Sequence, residues 1–201
     1  MKTKRKALLL SVCAMLLVAA SVMGTMAYLT AKTSAVQNTF TVGSVNITLD
    51  EADVDNSTSG ASRDQANAYN LLPGNTYEKD PTIHVAADSE DCWVFVKVKN
   101  DLADFEAKGT GTIAAQIAAN GWTQLSDASG NAITGVYYRQ HTKAATATDY
   151  VVFSTLTIAD NANTLEGWSN ISGEMITVTG YAVQDANVET ALDAWNLVKD
   201  L

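Results

Sequence analysis

Short segments with alternating or β-branched residues recur along the chain, and turn residues separate most of them. Alternation of apolar and polar side chains gives a strand one apolar face. A series of such strands, with Gly, Asn, Asp or Pro between them, is typical of a β-sandwich or a β-barrel. We therefore predict an all-β fold. Its strands are expected within residues 38–50, 81–87, 92–100, 132–141, 149–159 and 174–184.

Two segments have a helical period instead. Residues 111–120 are rich in Ala, with Ile113 and Ile117 four positions apart, and they predict a short inserted helix. Residues 186–201 place an apolar stripe at helical spacing, which predicts an amphipathic C-terminal helix. Asp185 or Asn187 is expected to cap the start of this second helix.

The N-terminus has the pattern of a signal peptide over residues 1–27. Basic residues open it, a segment of mostly Leu, Ala and Val follows, and Thr25 and Ala27 are small residues at the positions that a signal peptidase recognises. We expect cleavage between Ala27 and Tyr28, and therefore a secreted protein. The alternative is an uncleaved N-terminal anchor, although the apolar run is short for a span of about 20 residues.

Cleavage at this point divides the mature chain into two parts. Residues 28–39 form a polar, strand-prone N-terminal arm, and residues 40–201 have a length that suits a single domain with its own core. Within that domain, residues 50–70 are polar and lack periodicity, which predicts a surface loop.

The predicted mature chain is strongly acidic. Removing residues 1–27 takes away four of the 13 basic residues and none of the 22 acidic ones, which leaves nine basic residues and a net charge of −13. This charge repels nucleic acid and anionic membrane surfaces, so neither is an expected partner after cleavage. Cys92 is then the one cysteine left, which excludes an intramolecular disulfide, and its place in an apolar strand predicts a buried side chain.

The sequence offers no catalytic constellation, and we predict that the protein is not an enzyme. Its two histidines, His84 and His141, have no second His or Cys at a spacing that binds zinc. There is no G-x-S-x-G motif and no phosphate-binding or dinucleotide-binding loop. We expect His84 to lie in a strand and His141 to be solvated in a polar turn.

One acidic cluster is a weak candidate for Ca²⁺. Asp50, Glu51, Asp53 and Asp55 fall within six residues, and carboxylate oxygens suit this cation. The sequence "DEADVDNS" lacks the Gly and the closing Glu of an EF-hand loop. A solvated acidic loop is the alternative interpretation. No other cofactor is expected.

The stretch "AYLTAKTSAVQNTFTVGSVNITLDE" resembles the mature N-terminus of the TasA/camelysin family, Gram-positive proteins exported through a SipW-type signal peptidase. The family pattern is a small residue, an aromatic, a short polar run and then F-x-x-G-x-(V/L)-x-(I/L)-x-L. The matching positions are Ala27, Tyr28, Phe40, Gly43, Val45, Ile47 and Leu49. Residues 71–85, 92–100 and 175–184 also resemble blocks of SipW-dependent proteins, so the likeness spans most of the chain.

The resemblance implies a jelly-roll-like β-sandwich at the cell surface that polymerises, with itself or with related matrix subunits, into biofilm-matrix fibres. In such fibres the N-terminal arm of one subunit adds a strand to the next, which satisfies the unpaired backbone groups of an exposed sheet edge. Residues 28–39 suit this role because they contain no Pro, Gly or acidic residue, and Tyr28, Leu29 and Val36 are the candidate anchors. The alternatives are a flexible tail or the subunit's own first strand.

Two other functions compete with this one. Aromatic residues that could stack on sugars would suit a non-polymerising surface adhesin or ligand-binding module, although such residues are also common in cores. The aromatic candidates are Trp122, Tyr137, Tyr138 and Trp168. Camelysin is classed as a metallopeptidase, but this chain offers no recognisable zinc site, so a secreted metallopeptidase is the least favoured function.

Overall fold

The computed structural model describes residues 44–58 and 60–201, together with Lys6, Val12, Cys13, Met15 and Leu16. The following predicted residues lie outside that part of the chain: Thr25, Ala27, Tyr28, Leu29 and Val36. The signal-peptide cleavage and the arm therefore stay predictions. No helix among the described residues is long and apolar enough to cross a membrane.

Antiparallel strands dominate the described part of the chain, which contains only two short α-helices. This confirms the prediction of an all-β fold. The strands are β1 (Ile47–Ala52), β2 (Arg63–Asp64), β3 (Thr76–Glu78), β4 (Thr82–Val85), β5 (Cys92–Asn100), β6 (Thr123–Ser126), β7 (Ala132–His141), β8 (Thr148–Val151), β9 (Thr155–Thr157) and β10 (Ile176–Gln184). The helices are α1 (Ile113–Ala119) and α2 (Ala191–Val198). Single 3-10 turns occur at Ala103–Phe105, Ala162–Thr164 and Trp168–Asn170.

The strands form two four-stranded sheets and one small ribbon. The first sheet has the order β2-β1-β4-β8, the second has the order β10-β5-β7-β6, and β3 pairs with β9. One apolar core receives side chains from both large sheets. Ile83 and Val85 enter it from β4, and Val94 and Val96 enter it from β5, all with no exposed surface.

Strand β5 is buried on both faces at its start, as its sequence predicts. Trp93 and Phe95 point away from the main core, and helix α2 covers them. The Phe95 and Trp195 rings lie 5.4 Å apart between centroids in a tilted arrangement, a geometry that adds to the burial energy of both side chains. Further along, Lys97 and Lys99 are exposed, because α2 does not extend over that end of the strand.

The segment 149–159 forms two strands rather than one. It breaks after β8, and β8 belongs to the first sheet while β9 pairs with β3. Val152 and Phe153 lie at the break with no exposed surface, and the Val152 N–H donates to the Pro81 carbonyl at 2.8 Å. The buried connection between β8 and β9 is as apolar as a buried strand. The sequence pattern therefore does not distinguish two strands with such a connection from one continuous strand.

Helix α2 begins later than its predicted caps. The Thr190 Oγ1 accepts a hydrogen bond from the Asp193 N–H at 3.1 Å and donates to the Asp193 carboxylate at 2.6 Å. Thr190 is thus the N-cap, and the prediction of Asp185 or Asn187 is wrong. Asn187 instead adopts a positive φ of 64°, in a turn that precedes the helix.

Candidate functional site

Strand β10 is an edge strand. It pairs with β5 on one side, and no other described strand pairs with its second side. At its two ends, the Asp101 N–H donates to the Met175 carbonyl and the Asp185 N–H donates to the Asp91 carbonyl, both at 3.1 Å. Because bonded and non-bonded pairs alternate along an antiparallel ladder, the odd-numbered residues of β10 bond to β5. The N–H and C=O groups of the even-numbered residues, 176 to 184, therefore face the side on which no described strand pairs, which we call the free edge.

The other edges of the two large sheets are much less open to a further strand. β2 has two residues and β8 has four. β6 also has four, and its pairing with β7 is interrupted by a shift of register. β10, in contrast, has nine residues with the sequence ITVTGYAVQ, without Pro and without charge. Long, uncharged edges of this kind are the ones to which other strands add.

An apolar cleft of about 840 Å³ lies between the second half of β1 and the first half of β10. The large aliphatic side chains that line it are Leu49, Leu71, Leu102, Leu156, Ile176 and Val178. Ile176 and Val178 are only half-buried although they point toward the core, and Met175 at the rim is 61% exposed. The free backbone groups of β10 thus run beside partly uncovered apolar surface, the combination that an added peptide strand satisfies.

A buried ion pair lies on the β1 side of the cleft. The Lys79 Nζ is 2.6 Å from the Glu51 Oε2, and the two side chains are 11% and 7% exposed. The Lys79 Nζ also lies 5.7 Å from the centre of the Tyr69 ring. Burial, together with the negative charges of Glu51 and Asp80, raises the pKa of the Tyr69 hydroxyl far above its ordinary value.

A group of stacked side chains connects β7 with β8, which belong to different sheets. The Arg139 guanidinium lies 3.9 Å from the centre of the Tyr150 ring, and the Trp122 indole N–H donates to the Val151 carbonyl at 2.9 Å. Side chains from β7 and from the residue before β6 thus reach across to β8.

The predicted calcium residues do not converge on one point. Asp50 accepts hydrogen bonds from Arg63 and contacts His84, while Glu51, the next residue along the strand, bonds to Lys79. Burial raises the pKa of Asp50, but the hydrogen bonds from Arg63 and His84 and their positive charges outweigh this effect and hold that pKa below its usual range. These two carboxylates are thus already neutralised by protein cations.

The other two predicted residues stabilise a loop. Asp53 accepts hydrogen bonds from the N–H groups of Ser57 and Thr58, both at 3.2 Å. Asp55 accepts from the N–H groups of Ala68 at 2.7 Å and Ser57 at 2.9 Å, and these bonds lower the pKa of Asp55. In the part of the chain that the structure describes, no group of three or more His, Cys, Asp or Glu is arranged to hold a metal ion. Calcium binding stays a prediction.

The four aromatic residues considered for sugar stacking lie in different surroundings. Trp122 is 3% exposed in the main core, and Trp168 packs edge-on against Phe105. Tyr137 and Tyr138 are neighbours on β7 and therefore point to opposite faces of the sheet, one toward the main core and one toward the cluster under α2. The structure does not bring them together into one stacking surface.

Two predictions about single residues have opposite outcomes. Cys92 is buried with no exposed surface, as expected, and burial raises the pKa of its thiol to about 11. His141 is not solvated but only 3% exposed, and its Nδ1 lies 2.9 Å from the Tyr150 hydroxyl. His141 ends β7 directly opposite Cys92, so the strand carries it into the interior.

The open edge was not predicted from the sequence. The strand itself was, and its uncharged alternation from Ile176 to Gln184 was the signal that could have marked it as an unprotected edge. Comparison of the chain with protein-family models, with curated proteins and with solved structures finds no match.

Proposed function

We propose that the protein is a secreted structural protein of the cell surface or the biofilm matrix, of the TasA/camelysin type, and that it self-assembles by strand donation. In this proposal residues 28–39 of one copy pair with the free edge of β10 in the next copy. A SipW-type signal peptidase releases that arm during export. The protein folds as a jelly-roll-like β-sandwich and has no enzymatic activity.

The observation that carries the proposal is the free edge of β10 beside the apolar cleft. Nine edge residues span about 30 Å at roughly 3.3 Å per residue, and an arm of 12 residues is long enough to cover them. The N–H and C=O groups of the arm would pair with those of the even-numbered residues of β10. Its apolar side chains, Leu29 and Val36 among them, would cover the half-buried Ile176 and Val178.

Charge also favours this pairing. The arm carries Lys32 and no acidic residue, whereas Glu174 at the cleft is exposed and the predicted mature chain has a net charge of −13. A cationic segment therefore approaches an acidic protein, which favours encounter and orientation.

The first experiment compares residues 28–201 with a variant that starts at Phe40, by negative-stain electron microscopy over time and concentration. We expect filaments from the longer form alone. Filaments from both forms would rule out the arm as the donor. Monodisperse particles from both would favour a non-polymerising adhesin and would contradict the matrix role.

The second experiment tests the acceptor edge with one matched pair of variants. Val178→Pro removes an N–H that faces the free edge, and it leaves the β5 ladder intact because Val178 is in a non-bonded pair. Val178→Ala shortens the same side chain but keeps the N–H. We expect Val178→Pro to abolish filaments and Val178→Ala to retain them, with both variants folded by circular dichroism. Normal filaments from Val178→Pro would show that β10 is not the acceptor.

A further inference from the structure

The cleft beside β10 narrows along the strand. Its lining on β10 extends from Ile176 to Gly180. At the first end, the half-buried Ile176 and Val178 leave apolar surface uncovered. At the other end the two sheets meet, because a Cβ atom added at Gly180 would overlap the Ile83 Cδ1 and would lie 3.6 Å from the Ile47 Cδ1. The cleft is therefore wide beside Ile176 and Val178 and closed beside Gly180.

A strand added at the free edge continues the pleat of β10, so neighbouring side chains of the two strands point the same way. Side chains beside the even-numbered residues of β10 would enter the cleft, and those beside the odd-numbered residues would lie on the outer face of the sheet. Leu29 and Val36 of the arm are an odd number of positions apart, so a regular strand directs them to opposite faces. One of the two can then enter the cleft, and the register decides which.

The even-numbered residues of the arm do not suit the cleft. In every register that covers all nine residues of β10, they would place Lys32 on the cleft side, beside one of residues 178–182. Burial of an ammonium group without a carboxylate partner is costly. The two carboxylates that β1 contributes to the cleft lining are already paired, Asp50 with Arg63 and Glu51 with Lys79.

The odd-numbered residues of the arm match the narrowing of the cleft. They begin with the large Leu29, and the next three are small, namely Ala31, Thr33 and Ala35. In an antiparallel arm that covers all of β10, Leu29 would lie beside Gln184 or beyond it, outside the cleft. In a parallel arm Leu29 reaches the wide end, and the register that sets Leu29 beside Ile176 also sets Thr33 beside Gly180.

We propose, building on the proposed strand donation, that the arm adds parallel to β10 of the next copy, with Leu29 beside Ile176 and Thr33 beside Gly180. The acceptor site thus selects an extended segment that has one large aliphatic side chain, followed by small ones at every second position. Residues 29–37 cover the whole of β10 in this register. Val36 then lies on the outer face beside Val183, which packs against the cluster under α2.

The first test traps the register with pairs of cysteines in residues 28–201, oxidised during assembly. The parallel register sets Thr30 beside Thr177 on the outer face, within the reach of a disulfide. We expect a disulfide between chains in the variant with Thr30→Cys and Thr177→Cys. The control combines Val36→Cys with Thr177→Cys, two positions that this register holds about 20 Å apart at roughly 3.3 Å per residue. Cys92 does not compete, since it has no exposed surface.

The outcomes separate the register from the strand donation on which it rests. A disulfide between chains in the control pair alone would overturn the parallel register and leave donation intact. A disulfide between positions 30 and 177 of one chain would support the register but overturn donation between copies, and with it the proposed function. No disulfide in either variant would overturn both.

The second test changes side-chain size in the arm and follows assembly by light scattering. Leu29→Ala empties the wide end of the cleft, and Thr33→Leu places a large side chain where the sheets meet. We expect both to slow assembly several-fold, because one loses apolar burial and the other overpacks the site. Ser34→Leu, on the outer face, is the matched control and should not slow assembly. Equal slowing by Thr33→Leu and Ser34→Leu would refute the selection by size.

Discussion

Gly180 on β10 lies against Ile83 on β4, so closely that a Cβ atom at position 180 would overlap the Ile83 Cδ1 atom. Gly180 has an ordinary strand conformation, so the requirement for glycine comes from space and not from backbone angles. Ile83 has no exposed surface, and a close-packed core gives it little freedom to move aside.

We expect Gly180→Ala to lower the free energy of unfolding by about 1–3 kcal/mol through overpacking. Ile83→Val removes the obstructing methyl group and should cost about 0.5–1.5 kcal/mol alone. The double variant should therefore lose less than the sum of the two, as measured by urea denaturation. Gly111→Ala, where a Cβ meets nothing within 4 Å, is the control. If the stability losses of the two single variants simply added up in the double variant, this account of the contact would be wrong.

The buried pair of Lys79 and Glu51 gives a second prediction. Lys79→Met leaves the Glu51 carboxylate buried without a partner, which should cost about 3–5 kcal/mol. Adding Glu51→Leu removes the stranded charge and should restore most of that loss. Urea denaturation at neutral pH measures both. If Lys79→Met alone hardly changed the free energy of unfolding, this would mean that Glu51 has access to water or to another cation.

The Arg139 guanidinium on β7 stacks on the Tyr150 ring on β8. Arg139→Lys keeps the charge but loses the planar guanidinium, so we expect a loss of about 0.5–2 kcal/mol in thermal or urea unfolding. The cost should shrink in a Tyr150→Leu background, which has no ring to stack on. Tyr150→Phe keeps the ring and should leave the cost of Arg139→Lys unchanged. An equal cost in all three backgrounds would mean that stacking contributes nothing.

Cys92 should be inert in the folded protein. It has no exposed surface, and its thiol pKa of about 11 leaves almost no thiolate at pH 8. In a chain with Cys13→Ser, we expect iodoacetamide to label Cys92 slowly in buffer and at least tenfold faster in denaturing urea, where the pKa returns to about 8.5. Mass spectrometry follows the reaction. Rapid labelling in buffer would show that this end of β5 opens readily.

The strands that the sequence predicted most accurately are those with a long alternation of side chains. β5 and β7 begin and end where their alternation does, because nine or ten residues of one period leave little ambiguity. β3 and β6 have three and four residues, mostly polar, and no periodic pattern can be recognised over that length. Short strands exist here because their neighbours pair with them, which is a tertiary effect.

The candidate site was less accessible to such reasoning. β10 was predicted as a strand, but its place at an edge follows from its pairing with β5, which lies far away in the chain. The four clustered carboxylates failed to converge for a related reason. Asp50 and Glu51 are consecutive strand residues, so they point to opposite faces and meet different cations.

Among the described residues, β10 is the longest edge strand of the two large sheets, so an assembly that adds a strand to it would have a direction. Under the proposed strand donation, a segment from outside β10 would fill that edge, the contact would join unlike surfaces, and each added copy would present its own β10 edge to the next. Contacts between like surfaces end at a dimer, whereas this heterologous kind has no intrinsic stopping point unless the rotation between copies closes a ring. The length of such a polymer would then be set by the supply of subunits, or by a partner whose own edge is already covered.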